Sequence, residues 1–253
     1  MAIGSPPARQ RSISLIIPAR NEARLLSRLL ASVSVARARY VGGADSIDIV
    51  VADNGSTDQT THIARAHGCE VIEVIPRTIA AVRNGGAAHA AGACLAFIDA
   101  DMQLHPETFN AIATALNDAG VIGGTSRIEP ERWSAGIGVN YALICAAALV
   151  TGIDAGLIFT RREDFVAMGG FDERRSALED LDFLWRLRRR SAESGRRMVR
   201  LKQVPAVFST RKFDEHGDWH WMALGARVLR SGGWRRATQS AVVRSYWYDG
   251  RDP

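Results

Sequence analysis

The sequence predicts an α/β domain built on a mainly parallel sheet flanked by helices. Three observations carry this. Short apolar runs alternate with helical patterns over the first hundred residues. Capping residues, glycine and proline punctuate them. Polar clusters recur directly after the apolar runs, at 18–22, 53–58 and 99–101. Strands alternating with helices need crossover connections, and crossovers make neighbouring strands parallel. Sheets of this Rossmann-like kind place ligands outside the carboxyl ends of their strands, so three separate loops are expected to converge on one rim.

Ser14-Leu-Ile-Ile-Pro18 reads as a buried strand stopped by proline, and Asn21 stands where a cap would open a helix carrying Leu25, Leu26, Leu29, Leu30 and Val33 at helical spacing. Ile47 to Ala52 is a second strand. Ser56 with Gln59 has the spacing of a capping box, opening a helix that Gly68 closes. Val71 to Ile75 is a third strand, Thr78 to Ala93 an alanine-rich helix and Cys94 to Ile98 a fourth strand. Pro106 starts a further helix, and Gly120 to Ile128 has strand character. Thr160 with Glu163 forms a second capping pattern, Asp180 to Ser191 an arginine-rich helix, and Gly217 to Ser231 a last helix. With no repeat and no clear linker, the division expected is a flexible start over 1–11, one domain over 12–213 and a short helical extension over 214–253.

A chain of 253 residues with 47% hydrophobic and 23% charged residues suits one sizeable core and excludes a disordered or fibrous protein. Cys69, Cys94 and Cys145 lack any metal-ligand or disulfide spacing and read as small buried residues of a protein kept in a reducing, cytoplasmic setting. Ile137 to Phe159 is long and apolar, but Gly152, Asp154 and Gly156 interrupt it, which predicts a buried helix, a loop and a strand instead of a membrane span. Residues 160–236 hold 18 Arg/Lys against 11 Asp/Glu, an excess that points to phosphates, anionic lipid or nucleic acid without choosing among them.

Asp99 and Asp101 stand two apart at a strand end, where paired carboxylates can close on a hard cation such as magnesium or manganese bridging a diphosphate; a solvated strand end would look the same. Asp53 closes the second strand and is placed to accept a hydrogen bond from a base, whereas turn and capping chemistry accounts for Gly55, Ser56 and Thr57. Glu179 and Asp180 open the arginine-rich helix. They favour the helix dipole, and either can also serve as a general base toward an acceptor hydroxyl. His216, four residues before His220, is a weaker candidate for a metal or phosphate contact. Phosphate-loop, dinucleotide, nucleophile-elbow and zincin patterns are lacking.

In their joint order these segments resemble the family 2 glycosyltransferases, an inverting group with the GT-A fold. The resemblance runs from about Ser12 to about Phe213 and rests on Pro18-Ala-Arg-Asn-Glu22, Asp53-Asn-Gly-Ser-Thr-Asp58, Val82-Arg-Asn-Gly85, Phe97-Ile-Asp-Ala-Asp101, Gly169-Gly-Phe-Asp-Glu173, Glu179-Asp180 and Arg211-Lys-Phe213. It implies that Pro18, Ala19, Arg20 and Glu22 border the nucleotide, that Asp53 meets the base, and that Arg83 lies beside the nucleotide. Asp99 and Ala100 would sit by the ribose and metal, with Asp101 the principal ligand of Mn2+ or Mg2+ and Asp180 the base beside Glu179. Asn54 departs from the family's usual second aspartate, and the processive Gln-x-x-Arg-Trp pattern is missing.

The resemblance therefore implies single transfer from a nucleotide diphosphate sugar, a UDP-sugar first, to a hydroxyl acceptor that the sequence does not identify. A sugar-phosphate nucleotidyltransferase would show a glycine-rich first loop. A basic module for nucleotide or anionic lipid would leave the strand-end carboxylates without a role, and nucleic acid is not expected as a partner. The segment from Gly217, with Trp221, Leu224, Val228 and Leu229 among arginines, suits either packing on the sheet or contact with the inner face of a membrane and a lipid-linked acceptor.

Overall fold

The computed structural model describes residues 12–75, 78–151, 154, 156–175 and 178–219. The expectation for 1–11 lies outside them, as does most of the helix expected from Gly217; residues 217–219 are not helical.

The chain runs β1 (Ile13–Ala19), α1 (Ala23–Arg39), β2 (Ile47–Asp53), α2 (Thr60–Ala66), β3 (Glu70–Glu73), α3 (Ile79–His89), β4 (Cys94–Phe97), β5 (Met102–Gln103) and α4 (Thr108–Asn117). It continues through β6 (Val121–Pro130), α5 (Ala135–Thr151), β7 (Ile158–Arg161), α6 (Arg162–Ala167), α7 (Glu179–Glu193), β8 (Arg197–Phe208) and α8 (Arg211–His216). The strands form one sheet in the order β3-β2-β1-β4-β7-β6-β8-β5. β3, β2, β1 and β4 are parallel neighbours, as the sequence predicts. Beyond them β7 is antiparallel to both β4 and β6, β8 is parallel to β6, and β5 is antiparallel to β8. β1 lies between β2 and β4, so the chain leaves it toward opposite sides of the sheet and opens a crevice at the carboxyl ends of these three strands.

Alternation along β1 divides the core. Ile13, Leu15 and Ile17 join Leu26, Leu29, Leu30 and Val33 of α1 on one face, while Ile16 joins Val82 of α3 and Phe183, Leu184 and Leu187 of α7 on the other. Each such side chain, fully buried, contributes about 1.5–3 kcal/mol.

Three local expectations are corrected. Gln59, not Ser56, is the residue before α2, and Asp58 accepts from the Thr60 amide and hydroxyl, so the Ser56–Gln59 box does not form. Thr160 lies within β7 and donates to the Ile122 carbonyl instead of capping α6. The apolar segment from Ile137 does form a helix and then a strand, but α5 is not a buried helix: only Gly136, Ile137, Asn140 and Ala148 are buried. No described helix is long and apolar enough to cross a membrane. Cys69 and Cys94 are buried as expected, Cys145 only half-buried, and none of the three forms a disulfide among the described residues.

A buried ion cluster joins α6 and α7 to the residue just before β8. Asp164, 1% exposed, accepts from Arg190 at 2.9 Å and from Arg196 at 2.8 and 2.6 Å. Burial by itself raises its carboxyl pKa, but the hydrogen bonds and charges of Arg196 and Arg190 outweigh it and hold the group below the ordinary carboxylate range. A depressed folded-state pKa gives stability that is present above the unfolded value near 3.9 and is lost as pH falls through the folded one. Asp164→Asn is therefore expected to lose about 2 kcal/mol at neutral pH. The gap from wild type should narrow below about pH 4, in melting curves taken across pH; a gap independent of pH would mean the charge on Asp164 is not what holds the cluster.

Candidate active site

The first two loops at the crevice are stitched to one another. Asn21 takes a left-handed conformation with φ +51°, which asparagine tolerates better than most residues. Its amide donates to Ser56 Oγ, and its Oδ1 accepts from the Thr57 amide. Glu22 N–H donates to Thr60 Oγ1, and Ala23 N–H to Asp58 Oδ2. Asn21 is thus a cross-loop tie and not a helix cap; Glu22 occupies the cap position of α1 without a side-chain capping bond. These bonds explain why the polar residues of both loops recur in that order: each loop satisfies the other's exposed backbone.

Asp53, 4% exposed, uses Oδ2 to accept from the Ser56 amide, and its buried Oδ1 has no partner among the described residues. A buried carboxylate oxygen without a donor is costly, and a ligand N–H would relieve it.

The cleft itself is lined by Pro18 and Ala19 at the end of β1 and Arg20 and Glu22 after it, by Asn54 after β2, and by Asp99, Ala100 and Asp101 after β4. Ile79, Val82 and Arg83 of α3 line it, as do Leu178, Glu179 and Asp180 at the start of α7, and Lys212 of α8. Asp53 is not among the lining residues but directly precedes Asn54, which is. His216 is exposed, four residues beyond Lys212, and is not among the lining residues. The convergence of three loops expected from the sequence is observed. Lys212, Asn54 and Leu178 went unassigned. Lys212 sat in a segment already quoted for its order, and that basic residue beside a carboxylate cluster was the available signal.

Asp99 and Asp101 lie in a turn closed by the Met102 amide donating to the Asp99 carbonyl. Burial, then the negative charges of Asp99 and Glu22, push the Asp101 carboxyl up to about 6, against the opposing pull of Lys212 and Arg211. Arg211 also reaches Glu22 at 3.4 Å, tying α8 to the first loop. An all-oxygen donor set in which like charges crowd the Asp101 carboxyl suits a hard divalent cation. Among the described residues no three His, Cys, Asp or Glu come close enough to hold a metal by themselves, so ligand oxygens and water would complete its shell.

Arg83, 6% exposed, crosses the floor of the cleft. Its Nη1 donates to Glu179 Oε1 at 2.5 Å and its Nη2 to Asp99 Oδ1 at 2.7 Å, and the guanidinium stacks 5.3 Å from the Phe171 ring centroid. Burial lowers the Arg83 pKa, but Asp99 and Glu179 outweigh that and raise it. Burial raises the Glu179 pKa, with Arg83 opposing and Asp180 and Asp99 adding to the rise. Glu179 is therefore committed to Arg83, whereas the half-buried Asp180 lines the cleft, with Oδ1 accepting from the Leu181 amide.

The glycine pair before α7 has a structural reason. Gly169 and Gly170 are both left-handed, and a Cβ on Gly170 would meet Asn84 Oδ1 at 2.5 Å. That approach lets Asn84 accept from the Phe171 amide and donate to the Phe171 carbonyl and to Glu173. Arg83 and Asn84 of α3 are thereby locked to the segment leading into α7. Leu178, with φ +60°, is the left-handed non-glycine residue from which α7 enters the cleft. Such backbone costs about 1–2 kcal/mol and persists where its surroundings hold it.

Carboxylates, an arginine and a lysine surround the crevice beyond β1, β2 and β4 of a mixed sheet, and solved structures share the fold. TarS from Staphylococcus aureus superposes with a TM-score of 0.60 at 17% identity, over 79% of this chain and 60% of that one. Glucosyl-3-phosphoglycerate synthase from Mycobacterium tuberculosis, solved with Mn2+, UDP and glucosyl-3-phosphoglycerate, gives 0.59 at 22% identity, over 88% and 81%. A mannosyltransferase from Pyrobaculum calidifontis, solved with GDP-Man and Mn2+, gives 0.58 at 20%, over 78% and 56%. The fold is the GT-A type. In sequence, residues 14–165 match the glycosyl transferase family 2 profile, and the chain belongs to that family. The 4,4'-diaponeurosporenoate glycosyltransferase of S. aureus strain USA300 is 26% identical over 63% of this chain. The match spans 46% of that relative, just under half its length.

Proposed function

We propose that the protein transfers a sugar from a nucleotide diphosphate donor, UDP-linked in the first instance, to a hydroxyl acceptor, in a single metal-dependent displacement that inverts the anomeric centre. The observation that carries this reading is the unequal surroundings of two adjacent carboxylates: Glu179 is bound to Arg83, while Asp180 lines the same cleft as Asp99 and Asp101.

In this reading Asp53 receives a base N–H at its unpartnered Oδ1, and Pro18, Ala19, Arg20 and Glu22 border the nucleotide. Lys212 faces the diphosphate. Asp101, with Asp99, would hold Mn2+ or Mg2+, which neutralises charge on the departing diphosphate when bound. Asp180 takes the proton of the acceptor hydroxyl as its oxygen bonds to the anomeric carbon and the bond to the diphosphate oxygen breaks on the opposite face, and this single displacement inverts the centre. Arg83 fixes the direction of Asp99. The S. aureus and M. tuberculosis structures solved with UDP-GlcNAc or UDP-Glc favour uridine, and the P. calidifontis structure with GDP-Man is the alternative that the fold also admits. Single addition agrees with the missing Gln-x-x-Arg-Trp pattern.

Calorimetric titration of UDP in the presence and absence of manganese tests the donor side. Asp101→Ala is expected to weaken manganese-dependent UDP binding at least about tenfold while leaving the melting transition cooperative. Unchanged affinity would remove Asp101 from the metal site.

A further inference from the structure

We propose that α5 docks the protein peripherally on an anionic lipid bilayer. This rests on a part of the molecule separate from the cleft and does not depend on the transfer reaction. α5 has no charged residue over Ala135–Thr151, and every exposed residue on it is alanine, valine or leucine. Val139, Leu143, Leu149 and Val150 are 41%, 58%, 76% and 85% exposed, an apolar surface that a solvated helix would cover with polar side chains.

What surrounds this face decides what covers it. Trp133, 61% exposed, packs edge-on against Tyr141 in the first half of the helix. Trp185, 52% exposed, stacks with Arg188, whose guanidinium donates to the Thr151 carbonyl at the other end. Exposed tryptophans at both ends of an apolar face are what a water–lipid boundary favours.

Along its side, Tyr141, Cys145 and Leu149 of α5 form one wall of a cavity, and Arg127, Arg200 and Lys202 of β6 and β8 form the other. Two acidic groups face this basic wall, and each is taken: Glu129 by Arg127 and Asp154 by Arg200. Lys202 and Arg188 have no carboxylate partner among the described residues. Uncompensated cations beside an apolar helix match lipid phosphates above acyl chains. Seventeen residues give a helix of about 25 Å, short of the ~30 Å hydrocarbon core, so α5 lies on the membrane and does not span it.

The test is flotation of the full chain with phosphatidylcholine vesicles containing phosphatidylglycerol, against phosphatidylcholine alone. The wild type is expected to float with the mixed vesicles, several-fold less with neutral ones, and to be released by high salt. Leu143→Asp with Val150→Asp should cut flotation at least about tenfold without changing UDP affinity. Lys202→Glu, a change at an exposed side chain, should cut binding to the mixed vesicles about fivefold or more and leave the weak neutral binding unchanged, and it keeps the test decisive if the double variant misfolds. No flotation of the wild type, or equal flotation of wild type and both variants, overturns the proposal. Two further results also overturn it. A dimer mass by light scattering that the double variant abolishes, with no flotation, would give the face to a second copy. A lower melting temperature of the double variant without vesicles, again with no flotation of the wild type, would give it to residues 220–253.

Discussion

Asp180→Asn is expected to slow transfer by about two to four orders of magnitude, the usual worth of a positioned general base, while UDP binding stays within about twofold of wild type. The substitution keeps the size of the side chain and its place in the first turn of α7, so the backbone contact through the Leu181 amide survives. What it removes is an acceptor for the proton of the attacking hydroxyl. Neighbouring carboxylates offer poor substitutes. Glu179 is buried against Arg83, and Asp182, the next acidic residue on the helix, is held by Arg175 and Arg186 at 2.8 Å each. Rates of nucleoside diphosphate release under saturating donor give the comparison. Turnover near that of wild type would deny Asp180 the role of base, and the two arginine contacts on Asp182 would then have to be tested in turn.

Arg83→Met should be the most destabilising change in the cleft. It strands the buried Glu179, whereas half-exposed Asp99 can rehydrate. Removing one partner of a buried pair costs about 3–5 kcal/mol, or a fall in melting temperature of about 6–20 °C at the ~2–4 °C per kcal/mol expected for this chain length. Restoring neutrality should recover part of the loss, so Arg83→Met with Glu179→Gln is expected to melt above the single variant. A double variant no more stable than Arg83→Met would show that packing of the arginine stem over Phe171, and not charge pairing, is what the residue contributes. In either variant Asp99 loses the group that directs it, and manganese-dependent UDP binding should weaken even where the fold is kept.

The parts of this protein legible in its sequence are those where one requirement dominates. β1, β2 and β4 are apolar runs because both faces of the sheet are covered there, and the polar loops after them must lie at one edge. β8 was not legible: Arg197-Met-Val-Arg-Leu-Lys-Gln carries charge at irregular spacing, three and then two residues apart, is mostly half-exposed, and follows a helix equally rich in arginine. Asn21, Ser56 and Thr160 have the residue types of helix caps, but tertiary partners claimed their side chains: the facing loop for the first two, the Ile122 carbonyl of β6 for the third. α5 failed in the opposite sense. Its apolar composition reads as burial, and composition alone cannot distinguish a core from a surface awaiting a partner. At the site, residue identities on the rim were readable, but the unequal roles of Glu179 and Asp180 needed Arg83 to be seen between α3 and α7.

The central claim, a cleft built for a nucleoside diphosphate and a divalent cation, is tested most directly by thermal shift with a panel of nucleoside diphosphates, each with and without manganese. One of them, UDP first, should raise the melting temperature by about 5–10 °C at roughly a hundredfold excess over its Kd, since that occupancy adds about 2.7 kcal/mol. The rise should require manganese and vanish in Asp101→Ala. No shift with any nucleoside diphosphate, or a shift that persists unchanged without metal and in the variant, would contradict it.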